Sequence, residues 1–136
     1  MEPPSSVGTV GPFIHLVTPT LAWMDFGLDP SDADLDAHAE ALVSWSYDNP
    51  VDKGVVVVLH SALGGTATQR RKLAALEKRL VEHDRQYVRA CGIVAPNALT
   101  RGLVTAVFWV APPVYPYRLF EHPEPALAWV RSELEG

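Results

Sequence analysis

The chain has 136 residues, enough for one domain with its own core, and 48% of them are hydrophobic, which excludes a disordered chain. Its formal net charge of −5 argues against a nucleic-acid partner and against adhesion to anionic lipid, both of which need a basic face. A single cysteine, Cys91, cannot build a disulfide framework and fits a reducing compartment.

The start, "MEPPSSVGTVGP", lacks a basic region followed by an apolar one, so it does not read as a secretory signal, and a cytoplasmic protein is expected. Its Pro, Ser and Gly content predicts a flexible arm over residues 1–12, with a single domain over 13–136. "FIHLV" (13–17) and "LAWMDFG" (21–27) read as a hairpin opening a sheet. "DPSDADLDAHAEALVSWSYDNP" reads as a helix, capped by Ser31 with Asp34 three residues on and closed by Asn49-Pro50. Leu35, Ala39, Leu42, Val43 and Ser46 mark its inner face. "DADLD" within it imitates a calcium loop. Counted from Asp32, Ala37 stands where the sharp-turn glycine belongs and Val43 where the bidentate glutamate belongs. The aspartates instead suit the positive end of the helix dipole.

"GVVVVL" (54–59) is an unbroken β-branched run, expected as a central strand covered on both faces. The loop "HSALGGTATQRRK" after it resembles a phosphate cradle in layout, but Gly65 is followed by Thr66 and the first lysine is Lys72. A P-loop needs Gly-Lys-Ser/Thr there, so the loop reads as a turn. Thr66 and Gln69 stand as T-x-x-Q, a capping box for the next helix over 66–87. Leu73, Leu76, Leu80 and Tyr87 mark its buried stripe, and Arg71, Lys78, Glu82 and Arg85 its solvated face. Ser61, Thr66 and Thr68 lie at a helix N-terminus, where added phosphate is electrostatically favoured, with Arg70, Arg71 and Lys72 close behind.

"RACGIVAP" (89–96) is the next strand, with Cys91 as a buried structural thiol. A short apolar helix follows over 98–111. On a helical wheel Leu99, Leu103, Val107 and Val110 form its expected core stripe. Arg101 and Thr105 form a polar strip flanked by Phe108 and Trp109, a candidate docking patch. "YPYRLF" (115–120) reads as an edge strand, because Pro116 cannot donate to a ladder, and "EPALAWVRSELE" (124–135) as the last helix. No segment reaches the roughly 20 apolar residues of a transmembrane helix. The five histidines show neither HxxxH nor HExxH spacing, so no metal site is expected, and His60-Ser61 lacks the G-x-S-x-G of a nucleophile elbow. No acid–base pair for catalysis and no cofactor motif is found.

The order β-β-α-β-α-β-α-β-α predicts an α/β fold with a mixed, largely parallel sheet flanked by helices. "GVVVVLHSALGGTATQRRKLAALEKRL", "RACGIVAPNALTRGLVTAVFWVAPP" and "YRLFEHPEPALAWVRSEL" together resemble the STAS family in its SpoIIAA-like (STAS/SEC14-like) branch, from Phe13 to Leu134. The resemblance implies a non-catalytic regulatory module of a bacterial signalling system that acts through a protein partner or a second copy of itself. In the anti-sigma-factor antagonists of that family, a serine at the start of the helix after the central strand is phosphorylated. Here "GGTATQRR" replaces the usual D-S-S-G-L, and Thr66 and Thr68 stand near that position. The surface expected to act is the end of the sheet bearing the 60–68 loop and the helix 98–111. The alternative is an apolar ligand, a lipid or other small molecule, in a pocket under that helix lined by Trp23, Phe108, Trp109 and Phe120.

Overall fold

The computed structural model describes residues 2–60 and 66–136. Its elements run β1 (Gly8–Val10), β2 (Ile14–Thr18), β3 (Leu21–Asp25), α1 (Asp32–Asp48), β4 (Lys53–Val58), α2 (Ala67–Tyr87), β5 (Val88–Val94), α3 (Ala98–Val110), β6 (Tyr117–Phe120) and α4 (Pro123–Glu135). Among the described residues these strands form one six-stranded sheet in the order β1-β2-β3-β4-β5-β6. β1, β2 and β3 pair antiparallel; β3 to β6 pair parallel. The α/β fold with a mixed, largely parallel sheet is therefore as the sequence pattern predicts, and β4 lies between β3 and β5 as expected of the valine run.

One expectation changes at the start. Residues 8–10 are not part of a loose arm: they pair with β2 through Gly8–Leu16, Thr9–His15 and Val10–Ile14. The turn between them uses Gly11 at φ 63°, a left-handed conformation that strains other residues. Val10 is buried against Ile14 and Ala22, and that apolar contact ties the segment down.

Each crossover from β3 to β6 advances one strand in the same direction. Right-handed crossovers then put α1, α2 and α3 on one face of the sheet. Only α4, after the last strand, covers the other. On that face Leu21, Trp23, Val56, Val58, Ala90 and Val94 pack with Ala126 and Val130 in a close core. Gly54 and Gly92 let α4 approach: a Cβ on Gly54 would overlap Val130 Cγ1, and one on Gly92 would lie 3.2 Å from Ala126 Cβ.

The opposite face is not filled in the same way. Val55 and Val57 are only half-buried, whereas Val56 and Val58 are fully buried. The valine run is thus covered on both faces as expected, tightly under α4 and more loosely on the other side, where Val55 and Val57 pack with Ile93, Val104 and Phe108. α1 and α2 lie side by side and are fastened to each other by polar contacts. Lys72 meets Asp36 at 2.7 Å, Arg79 meets Glu40 at 2.7 Å, and Tyr47 Oη donates to Arg79 O at 2.6 Å. Gln69 donates from Nε2 to Pro30 O and Asp32 Oδ1, both at 2.9 Å, while its Oε1 accepts from Thr66 N. Asp32 and Asp36 therefore bridge helices besides serving the dipole of α1.

Candidate functional site

Between the sheet and α1, α2 and α3 lies a cavity of about 570 Å³. Met24, Val55, Val57 and Ile93 form its floor, Leu42 and Trp45 come from α1, Leu73 and Leu76 from α2, and Leu103, Val104 and Phe108 from α3. The strand residues are those that alternation turns away from α4.

Polar groups punctuate this apolar wall, and the best ordered of them centre on Lys53. Lys53 is 1% exposed at the start of β4. Its Nζ donates to Asn49 O at the C-terminal end of α1, where carbonyls lack helical partners. It also lies 2.9 Å from His83 Nε2 and 3.4 Å from Ser46 O and Val51 O. An ammonium can only donate, so His83 Nε2 accepts, and His83 Nδ1–H donates to Asp84 Oδ1 at 2.8 Å. Burial holds the Lys53 ammonium below its usual pKa, and the nearby Asp84 charge partly offsets this. Burial likewise raises the Asp84 carboxyl, against the pull of His83 and Lys53. The chain Lys53–His83–Asp84 fastens α1, β4 and α2 at one end of the cavity.

Glu77, two turns before Asp84, also lines the cavity. Burial and the Asp84 charge both lift its carboxyl above the usual carboxylate range. Its residue is exposed, so water can solvate the carboxylate. Cys91, on the sheet beside Tyr115, is pushed up to about 12 by burial, so it is a packed thiol and not a thiolate. His38 is 1% exposed, and neither ring nitrogen has a partner among the described residues. Its ring packs against Phe13 and Phe26 at centroid distances of 5.5 and 5.0 Å, and burial lowers its pKa to about 4. At the carboxyl ends of β3 and β4, His60 Nε2 meets Asp25 Oδ1 at 2.8 Å.

The residues singled out from the sequence fall in several places. Ser61 lies outside the described residues, in the 61–65 segment. Thr66 forms the expected capping box: Gln69 N donates to Thr66 Oγ1, and Thr66 N donates to Gln69 Oε1, both at 3.1 Å. Thr68 is exposed, with Arg71 Nη2 at 3.3 Å. Arg101 Nη1 donates to Ala95 O at 2.8 Å, and Thr105 Oγ1 donates to Arg101 O at 2.9 Å. The polar strip of α3 is thus partly consumed in holding the helix to the end of β5.

Three expectations about α3 and its pocket are corrected. The helix is turned relative to its expected stripe. Thr100 and Val104 are its buried residues; of the expected stripe Leu103 and Val107 line the cavity, while Leu99 and Val110 are exposed and do not. Asn97 caps Thr100 N at 2.7 Å and the Arg101 bond fixes the first turn, so this rotation is set at the N-terminal end. Phe108 is half-buried with its ring 4.6 Å from that of Tyr117, but Trp109 is 87% exposed and does not line the cavity. Trp23 and Phe120 belong to the α4 face, where alternation along β3 and β6 sends them, with Phe120 packed on Trp129. Of the four proposed pocket residues only Phe108 lines the cavity.

Lys53, Glu77, His83 and Asp84 were not foreseen. The α2 stripe carried the signal. At 100° per residue, Glu77, His83 and Asp84 all fall within about 60° of Leu80, on the side read as buried. Charged residues on an apolar stripe signal a lined cavity or a buried pair. Among the described residues no helix is long and apolar enough to cross a membrane. No family model, curated protein or solved structure matches the chain.

Proposed function

We propose that this protein binds an apolar small molecule in the cavity between its sheet and α1–α3. The observation that carries the reading is the cavity itself, about 570 Å³ with apolar walls interrupted by a few polar groups. Ligand pockets have this composition and run to roughly 300–1,000 Å³. Val57 projects into the space from the central strand, and Val57→Trp is expected to occupy part of it. The test is mass spectrometry under non-denaturing conditions, with titration of a neutral fluorescent apolar dye. The parent is expected to carry a ligand or bind the dye at 1:1, and Val57→Trp to weaken both without loss of cooperative unfolding. A parent that carries no ligand and takes up no dye would end this reading.

A second reading is a regulatory module that works through a protein partner or a second copy of itself, and the outer side of α3 favours it. Leu99, Trp109 and Val110 are all exposed and do not line the cavity, Trp109 and Val110 at 87% and 88%. An exposed Trp is a frequent interface anchor. Trp109→Ala should cost far less than the roughly 3–5 kcal/mol of a buried Trp, yet weaken association in sedimentation or partner-binding assays. Unchanged association would remove this reading.

A further inference from the structure

We propose that the cavity takes an apolar aldehyde and that Lys53 holds it covalently, as an imine between Nζ and the carbonyl carbon. This rests on the cavity reading and gives it a ligand class and a point of attachment.

The placement of Lys53 is the first support. Gly54, Val56 and Val58 face α4, so alternation along β4 leaves Lys53, Val55 and Val57 on the other side, and all three line the cavity. Lysine is rarely so deeply buried, and Lys53 is among the largest side chains wholly removed from solvent. The rings of Trp45 and Tyr87 lie 5.1 and 5.6 Å from its Nζ. Its close acceptors are Asn49 O and His83 Nε2, whereas Ser46 O and Val51 O stand at 3.4 Å, the outer limit of a hydrogen bond. The ammonium is not the only cap on α1, because Asn49 Nδ2 donates to Trp45 O at 2.8 Å.

The second support is a proton acceptor in contact with the amine. His83 is 3% exposed, takes a hydrogen bond from Nζ on Nε2 and gives one from Nδ1 to Asp84. It can therefore receive a proton from Lys53 while Asp84 steadies the imidazolium. Burial of Lys53 favours the neutral amine in the same direction. A desolvated lysine beside a base is the arrangement that makes an amine nucleophilic toward carbonyl groups.

The step balances without an oxidant or reductant. The ammonium passes one proton to His83, and the Nζ lone pair adds to the carbonyl carbon as the C=O π pair moves to oxygen. A proton shifts from nitrogen to that oxygen, giving a neutral carbinolamine. His83 returns its proton to the hydroxyl, which departs as water while the nitrogen lone pair closes the C=N bond. The product is a protonated imine. It keeps one N–H for Asn49 O and the positive charge beside Asp84 and the two rings, so the clamp on α1 survives. An ester would instead acylate Nζ and abolish that charge.

The chain has three lysines, Lys53, Lys72 and Lys78, so the site of attachment can be read by peptide mapping. The protein is incubated at pH 7 with octanal and cyanoborohydride, which reduces an imine to a stable secondary amine, with free Nα-acetyllysine as reference. Lys53 is expected to gain one octyl group at least about tenfold faster than the reference, since each unit of pKa lowering raises the neutral fraction tenfold. Propanal, too short to use the apolar walls, should lose most of that preference. Lys53→Arg keeps the charge but should abolish the fast reaction and leave slow labelling at Lys72 and Lys78. His83→Gln still accepts a hydrogen bond but takes no proton, and should slow labelling at Lys53. Thermal unfolding checks that both variants are folded, and mapping of the parent decides the matter even if they are not. Labelling of Lys53 no faster than the reference overturns the proposal. If the neutral apolar dye still binds the parent at 1:1, the cavity reading then stands alone; if it does not, both fall.

Discussion

Gly54 offers a quantitative test of how the sheet is covered. A Cβ added there would overlap Val130 Cγ1 and lie 3.0 Å from Leu134 Cδ1. Leu134 is half-buried near the end of α4 and can shift, but Val130 is 0% exposed and has nowhere to turn. Overpacking of this kind costs about 1–3 kcal/mol. The reduced freedom of the unfolded chain returns about 0.4–1 kcal/mol. Gly54→Ala should therefore destabilise by about 1–2 kcal/mol net, measured by urea unfolding. Val130→Ala alone removes two buried methyl groups and should cost about 2–3 kcal/mol. In the double variant the new methyl enters the space vacated by Val130 Cγ1. The pair should thus be less destabilised than the sum of the single changes, by a coupling of about 1–2 kcal/mol. Additivity within about 0.5 kcal/mol would refute the claim that this glycine exists to let α4 approach. Gly92→Ala is the internal comparison. Its Cβ would lie 3.2 Å from Ala126 Cβ and 3.3 Å from Val130 Cγ2, which small shifts absorb, so it should cost less than Gly54→Ala.

Thr66→Ala should cost about 1 kcal/mol in urea unfolding through loss of the capping box, whereas Thr66→Asp should be nearly neutral because aspartate also caps. If Thr66→Asp keeps its stability but loses a partner, the threonine is a switch as well as a cap. His38 supplies a pH dependence: its pKa of about 4 in the fold lies below the ordinary 6.5, so the unfolded chain binds more protons between these values. Its contribution to stability is present above pH 6.5 and lost as pH falls toward 4, and His38→Leu should flatten the melting temperature across that window.

The sheet was legible in the sequence because strands announce themselves by composition as well as by period. The valine run read as a strand, and the T-x-x-Q cap marked where α2 begins. β1 was missed because three residues inside a Gly- and Pro-rich stretch carry too little signal against the flexible look of their neighbours. The rotation of α3 was missed for a different reason. Its residues are apolar on almost every side, so the wheel offers several stripes of similar weight. The choice falls to tertiary contacts, the Arg101–Ala95 bond and the Phe108–Tyr117 rings. Trp23 and Phe120 were assigned to a pocket with Phe108 by aromatic character alone. Alternation along a strand decides the face, and that requires knowing which residue of β5 or β4 stands opposite.

The two faces of the sheet differ in what holds their helices. α4 is drawn onto the strands by apolar contact at two glycine positions, and its approach is as close as side chains allow. α1 packs Ala41, Leu42 and Trp45 on Val10, Ile14 and Ala22, and polar contacts join α1 to α2 while Lys53 ties α1 to the edge of the cavity. Polar clamps at the ends and outer sides of two helices fix where they stand without requiring side chains to fill the space beneath them. An empty apolar space forfeits dispersion contacts along its lining, so a cavity of this size lowers the stability of the fold unless something occupies it. The cost would be avoided by larger residues at positions such as Val55 or Val57, and the chain has valines there. A ligand that fills the space restores those contacts and stabilises the folded state by mass action. α3 closes that space with Leu103, Val104 and Phe108 and turns Trp109 and Val110 outward, so one helix links the cavity to the exposed apolar surface.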